Sequence, residues 1–171
     1  MTKRIWLSLL CCMLLLSAWP ALAADRELKI ILSNAEKAEQ KNDLVAAIES
    51  YLKVLEKNYR PGKIHLVLGR LYLAAGNEPE AEKHLTQALE QKLNQEEQLS
   101  GQSLLGAINY HRQDYNQAIE RFKNCIEIKR NYEVAYLGLA KVYKDMQMYP
   151  EALKELNVIR RSKKLKFEYN L

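Results

Sequence analysis

The sequence predicts an all-α fold, an α-solenoid of four helix-turn-helix repeats following an N-terminal signal peptide. Three observations lead there. From Asp25 onward Ala, Leu, Glu, Lys and Gln dominate, Gly and Pro are few, and apolar residues recur at helical spacing. No alternating apolar and polar run is bounded by the Asn-Gly or Asp-Gly pairs that make hairpins. Finally, Ala47, Ala81, Ala118 and Ala152 lie 34, 37 and 34 residues apart, each 12 residues after a small residue: Ala35, Gly69, Gly106 and Ala140. A period of this length marks a repeat array.

The first segment stands apart. Lys3 and Arg4 precede an apolar stretch from Ile5 to Leu16, followed by Ser17-Ala18-Trp19-Pro20-Ala21-Leu22-Ala23. Basic start, apolar middle and A-x-A end are the marks of a cleaved secretory signal. Cleavage after Ala23 leaves a mature chain of 148 residues, 24–171. The rival is a retained anchor over residues 5–24, since Ile5 to Ala24 is 20 residues without a charge and long enough to span a bilayer. Pro20 and the small residues around it favour cleavage. A lipoprotein is not expected, because Leu10 precedes Cys11 and Cys11 precedes Cys12, where a small residue is needed. The mature chain keeps only Cys125, so it can form no internal disulfide and its fold must rest on core packing.

The repeats follow in order. Leu28, Ile31, Leu32, Ala35 and Ala38 form one helical face. Asp43 caps the next helix, whose face is Leu44, Ala47, Ile48, Tyr51 and Leu55. The run 58–62, Asn-Tyr-Arg-Pro-Gly, is expected to end that helix. A second pair is expected at about Lys63–Ala75 and Glu78–Gln91, closed by Gly76 in the left-handed conformation. Asn77 with Glu80 resembles a capping box, and Pro79 lies in the first turn. Leu93–Gln98 reads as a longer polar linker holding the three extra residues of the 37-residue interval. The third pair is expected at Glu97–Arg112 and Tyr115–Lys129, with Asp114 and Gln117 repeating the cap, and the fourth at Tyr132–Met146 and Tyr149–Arg161. Met148 is a poor cap for the last helix. The resulting organisation is a signal peptide at 1–23, repeats at 24–61, 62–95, 96–131 and 132–161, and a basic tail at 162–171.

Four pairs at this period resemble tetratricopeptide repeats. The second pair carries the resemblance best, with Leu68, Gly69, Tyr72, Gly76, Ala81 and Ala88 at the family's leucine, glycine, tyrosine, turn-glycine and alanine positions. The third supplies Leu105, Gly106, Ala118, Phe122 and Cys125. The fourth supplies Leu139, Ala140, Tyr143, Ala152 and Leu156, and the first Asn34, Ala35, Ala47, Tyr51 and Val54. Two departures stand out. Tyr59, Leu93 and Arg130 occupy the usual proline position, and Asn42, Gln113 and Gln147 occupy the turn where only the second pair has Gly. Small residues facing each other across each pair also agree with the packing such repeats need, since no pair alone covers its apolar face.

The resemblance implies a concave groove lined by the first helix of each pair and a non-catalytic role in docking a peptide or helix. By position its candidates are Lys63, Leu66, Arg70, Leu73, Tyr110, His111, Leu137, Lys141 and Lys144, beside Leu32, Glu36 and Glu39 from the first pair and Ser103 and Ala107 from the third. The lysine that clamps a terminal carboxylate in some relatives is replaced by Leu32, Leu66, Ser103 and Leu137, so binding of that kind is not implied. The expected ligand is a protein segment with apolar anchors and some acidic residues.

Composition narrows the rest. Without Lys3 and Arg4 the net charge falls from +5 to +3, and Arg160, Arg161, Lys163, Lys164 and Lys166 supply the excess. Those five either stay solvated at a helix end, complementing its dipole, or make a weak contact with anionic membrane. The tail beyond them either folds over the open end of the array or joins a docking surface. Nucleic acid is not an expected partner of an exported chain. His65, His84 and His111 share no ligand spacing, so no metal is expected, and His84 is expected to point outward. Cys125 reads as a buried, inert thiol. No nucleotide, metalloprotease or hydrolase fingerprint occurs, so neither cofactor nor catalysis is expected. The chain therefore reads as an exported, periplasmic scaffold whose partner is another envelope protein. Two alternatives are a membrane-tethered assembly factor for a pilus or secretion machine, and a regulatory subunit of an envelope enzyme.

Overall fold

The structure, a computed structural model, describes residues 24–169, with side chains through Ser162. The signal segment expected at 1–23 lies outside the described residues. Every regular element described is a helix: α1 (24–40), α2 (Leu44–Glu56), α3 (Pro61–Ala74), α4 (Glu78–Leu89), α5 (Gln95–His111), α6 (Tyr115–Ile128), α7 (Glu133–Asp145) and α8 (Tyr149–Tyr169). Two compact units divide them, one ending at Tyr59 and the other starting at Arg60. Among the described residues no helix is long and apolar enough to cross a membrane.

The first unit is the α1–α2 hairpin. Ala35 and Ala47 are completely buried, and Ala38, Tyr51 and Val54 join them in the core. Tyr51 donates to Glu39 at 3.0 Å and Lys57 pairs with Glu27 at 3.1 Å, fastening the open side of the hairpin.

The second unit stacks three hairpins in sequence order. α3 pairs with α4, α5 with α6 and α7 with α8, while α5 also lies against α3 and α4, and α7 against α5 and α6. The small residues do what the spacing predicts. A Cβ on Gly69 would stand 2.6 Å from Leu85 of α4, so only glycine admits so close an approach. One core cluster joins Leu85, Ala88, Leu105 and Ile108 across α4 and α5; a second joins Leu99, Phe122, Leu139 and Val142 across α5, α6 and α7.

All four hairpin turns share one geometry. Asn42, Gly76, Gln113 and Gln147 each take positive φ, at 56°, 76°, 64° and 62°. Each donates its N–H to the carbonyl three residues back at 3.0 Å, and the next residue donates to the carbonyl five back at 2.8–2.9 Å. This is the Schellman closure, which satisfies carbonyls the helix end leaves open. Residue type at the turn therefore departs from the family's glycine three times while the backbone does not.

The caps differ more. Asp43 accepts from the Ala46 N–H at 3.1 Å as expected. Asn77 accepts from the Glu80 N–H at 3.3 Å, but Glu80 turns to Lys83 rather than completing a box. Asp114 makes no side-chain cap, and the Gln117 amide oxygen instead accepts from the buried Asn109 at 3.4 Å. The complete capping box is at Asn94 and Glu97, with bonds of 2.9 and 3.0 Å. It starts α5 at Gln95, so the three extra residues lengthen that helix to 17 residues against 14 in α3, and the long linker expected at 93–98 does not form. Pro61 and Gly62 likewise belong to the start of α3, where proline at the first position loses no helical bond. Of the tail expected at 162–171, residues 162–169 continue α8 as one helix, and the last two lie outside the described residues.

Candidate docking groove

Phe122 of α6 is 4% exposed, and its ring forms the floor of a groove between α5 and α7. Two glycines admit it. A Cβ on Gly106 would lie 2.9 Å from the ring, and one on Gly138 would lie 2.5 Å from it. Above the floor is a mostly apolar cavity of about 310 Å³, walled by Leu104, Ala107 and Tyr110 from α5 and by Val134, Leu137 and Lys141 from α7. Val134 and Leu137 are half exposed, so these walls are open to solvent and to a ligand.

The groove's rim is polar and ordered. Tyr110 donates its hydroxyl to Asp145 at 2.6 Å, bridging the C-terminal ends of α5 and α7. That bond lowers the Asp145 carboxyl and raises the Tyr110 phenol relative to their ordinary values. Lys144 lies 3.3 Å from the same carboxylate. Lys141 has no ion-pair partner among the described residues, leaving one cation available on the wall. The arrangement suits an apolar anchor entering the cavity with an acidic neighbour against Lys141.

The structure gathers Tyr110, Leu137 and Lys141 around this cavity, and Lys144 with Leu137 and Lys141 around an adjoining one toward α8. It does not place Lys63, Leu66, Arg70, Leu73 or His111 in either. Lys63 and Arg70 are exposed on α3. Leu66 is not an open anchor: it is 6% exposed and packs with Leu85, Ala88 and Leu105, because the turn it occupies faces α4 and α5. Leu73 packs against the edge of the same cluster. His111 is committed to Glu78 at 2.6 Å, beside Arg112, which binds both Glu78 and Glu82.

Val134 and Leu104 carry no repeat signature of their own, whereas Gly138 is a glycine inside a helical pattern, the local mark of a close approach. His84 also departs from expectation. It is 5% exposed because it shares the Ala81, Leu85 and Ala88 stripe of α4, and its Nδ1 lies 2.8 Å from that of His65, with Tyr72 stacked on its ring. Burial lowers both imidazoles below the ordinary value of 6.5. Cys125 is completely buried, its thiol pushed up to about 11 by desolvation. Among the described residues no three His, Cys, Asp or Glu side chains cluster as metal ligands would.

Comparison with known proteins agrees with this architecture. Two family models, each described as tetratricopeptide repeat, match residues 64–99 and 110–168, together more than half of the chain. No curated protein matches it. Among solved structures, a crystal structure of MamA is 26% identical with a TM-score of 0.63, over 71% of this chain and 69% of that one. A second crystal structure of MamA protein is 20% identical with a TM-score of 0.44, over 84% of this chain and 96% of that one. A non-catalytic protein-interaction scaffold is the general role of such repeats, and it is the role this fold supports.

Proposed function

This chain belongs to the tetratricopeptide repeat family, and from that premise we propose that it docks a segment of another cell-envelope protein in the groove between α5 and α7. The observation that carries the reading is the cavity floored by Phe122, open between Leu104, Ala107 and Leu137, with Lys141 on its wall and no ion-pair partner for it among the described residues. The ligand is a peptide or helix with an apolar anchor and an adjacent carboxylate. Binding is reversible and no covalent chemistry takes place. The chain works after export, in the periplasm, with residues 1–23 removed; the signal features at Lys3, Arg4 and Ala21-Leu22-Ala23 support this. If the uncharged run 5–24 is kept instead, the same groove serves a membrane-tethered assembly factor. Mass spectrometry of the purified chain separates the two by its first residue.

The groove is tested with a photo-crosslinking amino acid placed at Ala107 in cells expressing the full chain. A discrete crosslinked envelope protein is expected, and Lys141→Glu or Leu104→Glu should remove it while circular dichroism stays unchanged. A crosslinking pattern indifferent to both substitutions would reject the groove as the docking site.

A further inference from the structure

We propose that the α7–α8 face at the end of the array is a second docking surface, which takes an acidic amphipathic helix of a partner protein. The stacking order gives the shape. α5 lies over the α3–α4 hairpin and α7 over the α5–α6 hairpin, so each hairpin presents a seat for one further helix. Leu85 of α4 and Phe122 of α6 hold equivalent positions, 37 residues apart, and are 0% and 4% exposed beneath the helix that follows. Leu156 holds the same position on α8, 34 residues on, and is 42% exposed. Beside it Tyr149 is 57% and Leu153 60% exposed, around a cavity of about 360 Å³ whose lining is almost wholly apolar. Six of the nine large apolar side chains exposed among the described residues belong to α7 and α8. Residues 157–169 do not turn back over the seat, since α8 runs on as a helix to Tyr169.

Charge selects the occupant. Lys141 and Lys144 line the cavity, Lys144 lying 3.3 Å from the Asp145 carboxylate, and Lys154, Arg160 and Arg161 are exposed on α8. The acids of α8 whose side chains are described, Glu151 and Glu155, do not line the cavity. A second copy meeting this face end to end would bring the same cations together. One meeting it through the first unit would offer, among the described residues, only Ile30, Val45 and Tyr59 as large exposed apolar groups, too few to fill the seat. A partner helix with a leucine and alanine face and flanking glutamates satisfies both requirements. A small residue is needed over Leu156, as Gly138 stands over Phe122.

The test is fluorescence anisotropy of the full chain with a labelled 18-residue synthetic helix, leucines and alanines on one face and glutamates beside them. A matched peptide carries lysines for glutamates. Saturable binding of the glutamate peptide is expected, at least tenfold weaker for the lysine peptide. Leu153→Glu and Leu156→Glu should each weaken it at least tenfold, while Ala107→Arg in the α5–α7 groove leaves it unchanged. Both leucines are exposed enough for the variants to fold, which circular dichroism checks; should Leu156→Glu unfold, Leu153→Glu alone decides. The proposal fails if the glutamate peptide does not saturate, if both peptides bind alike, or if Ala107→Arg abolishes binding. It also fails if sedimentation shows self-association that Leu153→Glu removes, since the occupant is then a second copy.

Discussion

The Phe122 ring and Gly138 are in direct apposition: a Cβ at Gly138 would meet three ring atoms at 2.5–2.6 Å, inside the distance real side chains tolerate. Gly106 flanks the ring from α5, where a Cβ would come to 2.9 Å, so the ring can yield only toward the cavity above it. Gly138→Ala gains up to about 1 kcal/mol of helix propensity. Overpacking costs about 1–3 kcal/mol, and simultaneous contact with three ring atoms puts this site toward the upper end, so it wins. We expect a net loss of about 1–2 kcal/mol in urea unfolding. In a Phe122→Leu background the same substitution should become neutral or stabilising, because the ring is what it strikes. Equal effects in both backgrounds would show that the apposition does not govern the packing of α7.

This apposition also shows what the chain discloses by itself. The 12-residue spacing of small residues and the recurrence of Ala81, Ala118 and Ala152 are local facts, and they place the hairpins correctly. Glycine at 138 is equally visible, but what it faces is set by α6 folding beneath α7, which no local pattern contains. The same limit applies to His84, whose stripe with Ala81, Leu85 and Ala88 was legible while its partner, His65 on the preceding helix, was not. The start of α5 was written in Asn94 and Glu97, yet three inserted residues look like linker until the capping box is seen to close. Leu66 illustrates the opposite error: its position in the repeat pointed to the groove, and packing against α4 and α5 buried it.

The turns give a second prediction. Gln113 and Gln147 sit at positive φ with the backbone bonds of Gly76. A side chain in that region costs about 1 kcal/mol that glycine does not. Gln113→Gly and Gln147→Gly should each stabilise by several tenths of a kcal/mol to about 1 kcal/mol, the gain reduced by the greater freedom of glycine in the unfolded chain. Gly76→Ala has open space around its Cβ, so its expected loss of about 1 kcal/mol is purely conformational. Thermal and urea unfolding should order the variants in that way. Destabilisation by both Gln→Gly changes would mean that the glutamine side chains contribute more than their backbone strain.

Acid should weaken the second unit through His65 and His84. Their Nδ1–Nδ1 hydrogen bond requires at least one ring to be neutral. Desolvation lowers both, and for His84 the charges of His65 and Lys83 act in the same direction, opposed by Glu80. In the unfolded chain each ring takes its proton near the ordinary value of 6.5, before the folded one does. The pair thus leaves stability flat above that value and subtracts from it progressively below, until the folded rings are themselves protonated. The urea midpoint should fall between pH 7 and 5, and His84→Gln should flatten that fall relative to the parent. An unchanged slope in His84→Gln would assign the acid sensitivity to other groups.

Cys125 is expected to report opening of the stack. Its side chain is wholly buried between α5 and α6, with the Leu99 carbonyl 3.8 Å from the sulfur, and its thiol is raised from 9.0 to about 11. At pH 8 that shift alone lowers the thiolate, the reactive form, by about a hundredfold, and burial denies reagents access to what remains. It is the sole cysteine of residues 24–171, so a chain beginning at Ala24 should label in a single phase. Labelling by an aromatic disulfide at pH 8 should be slow in native buffer and complete within mixing in denaturing urea. In between, the rate should rise with urea along the slope of global unfolding, because α5 and α6 must part for the reagent to enter. A rate independent of urea would locate Cys125 in a locally opening region, and fast labelling in native buffer would contradict its place in the core.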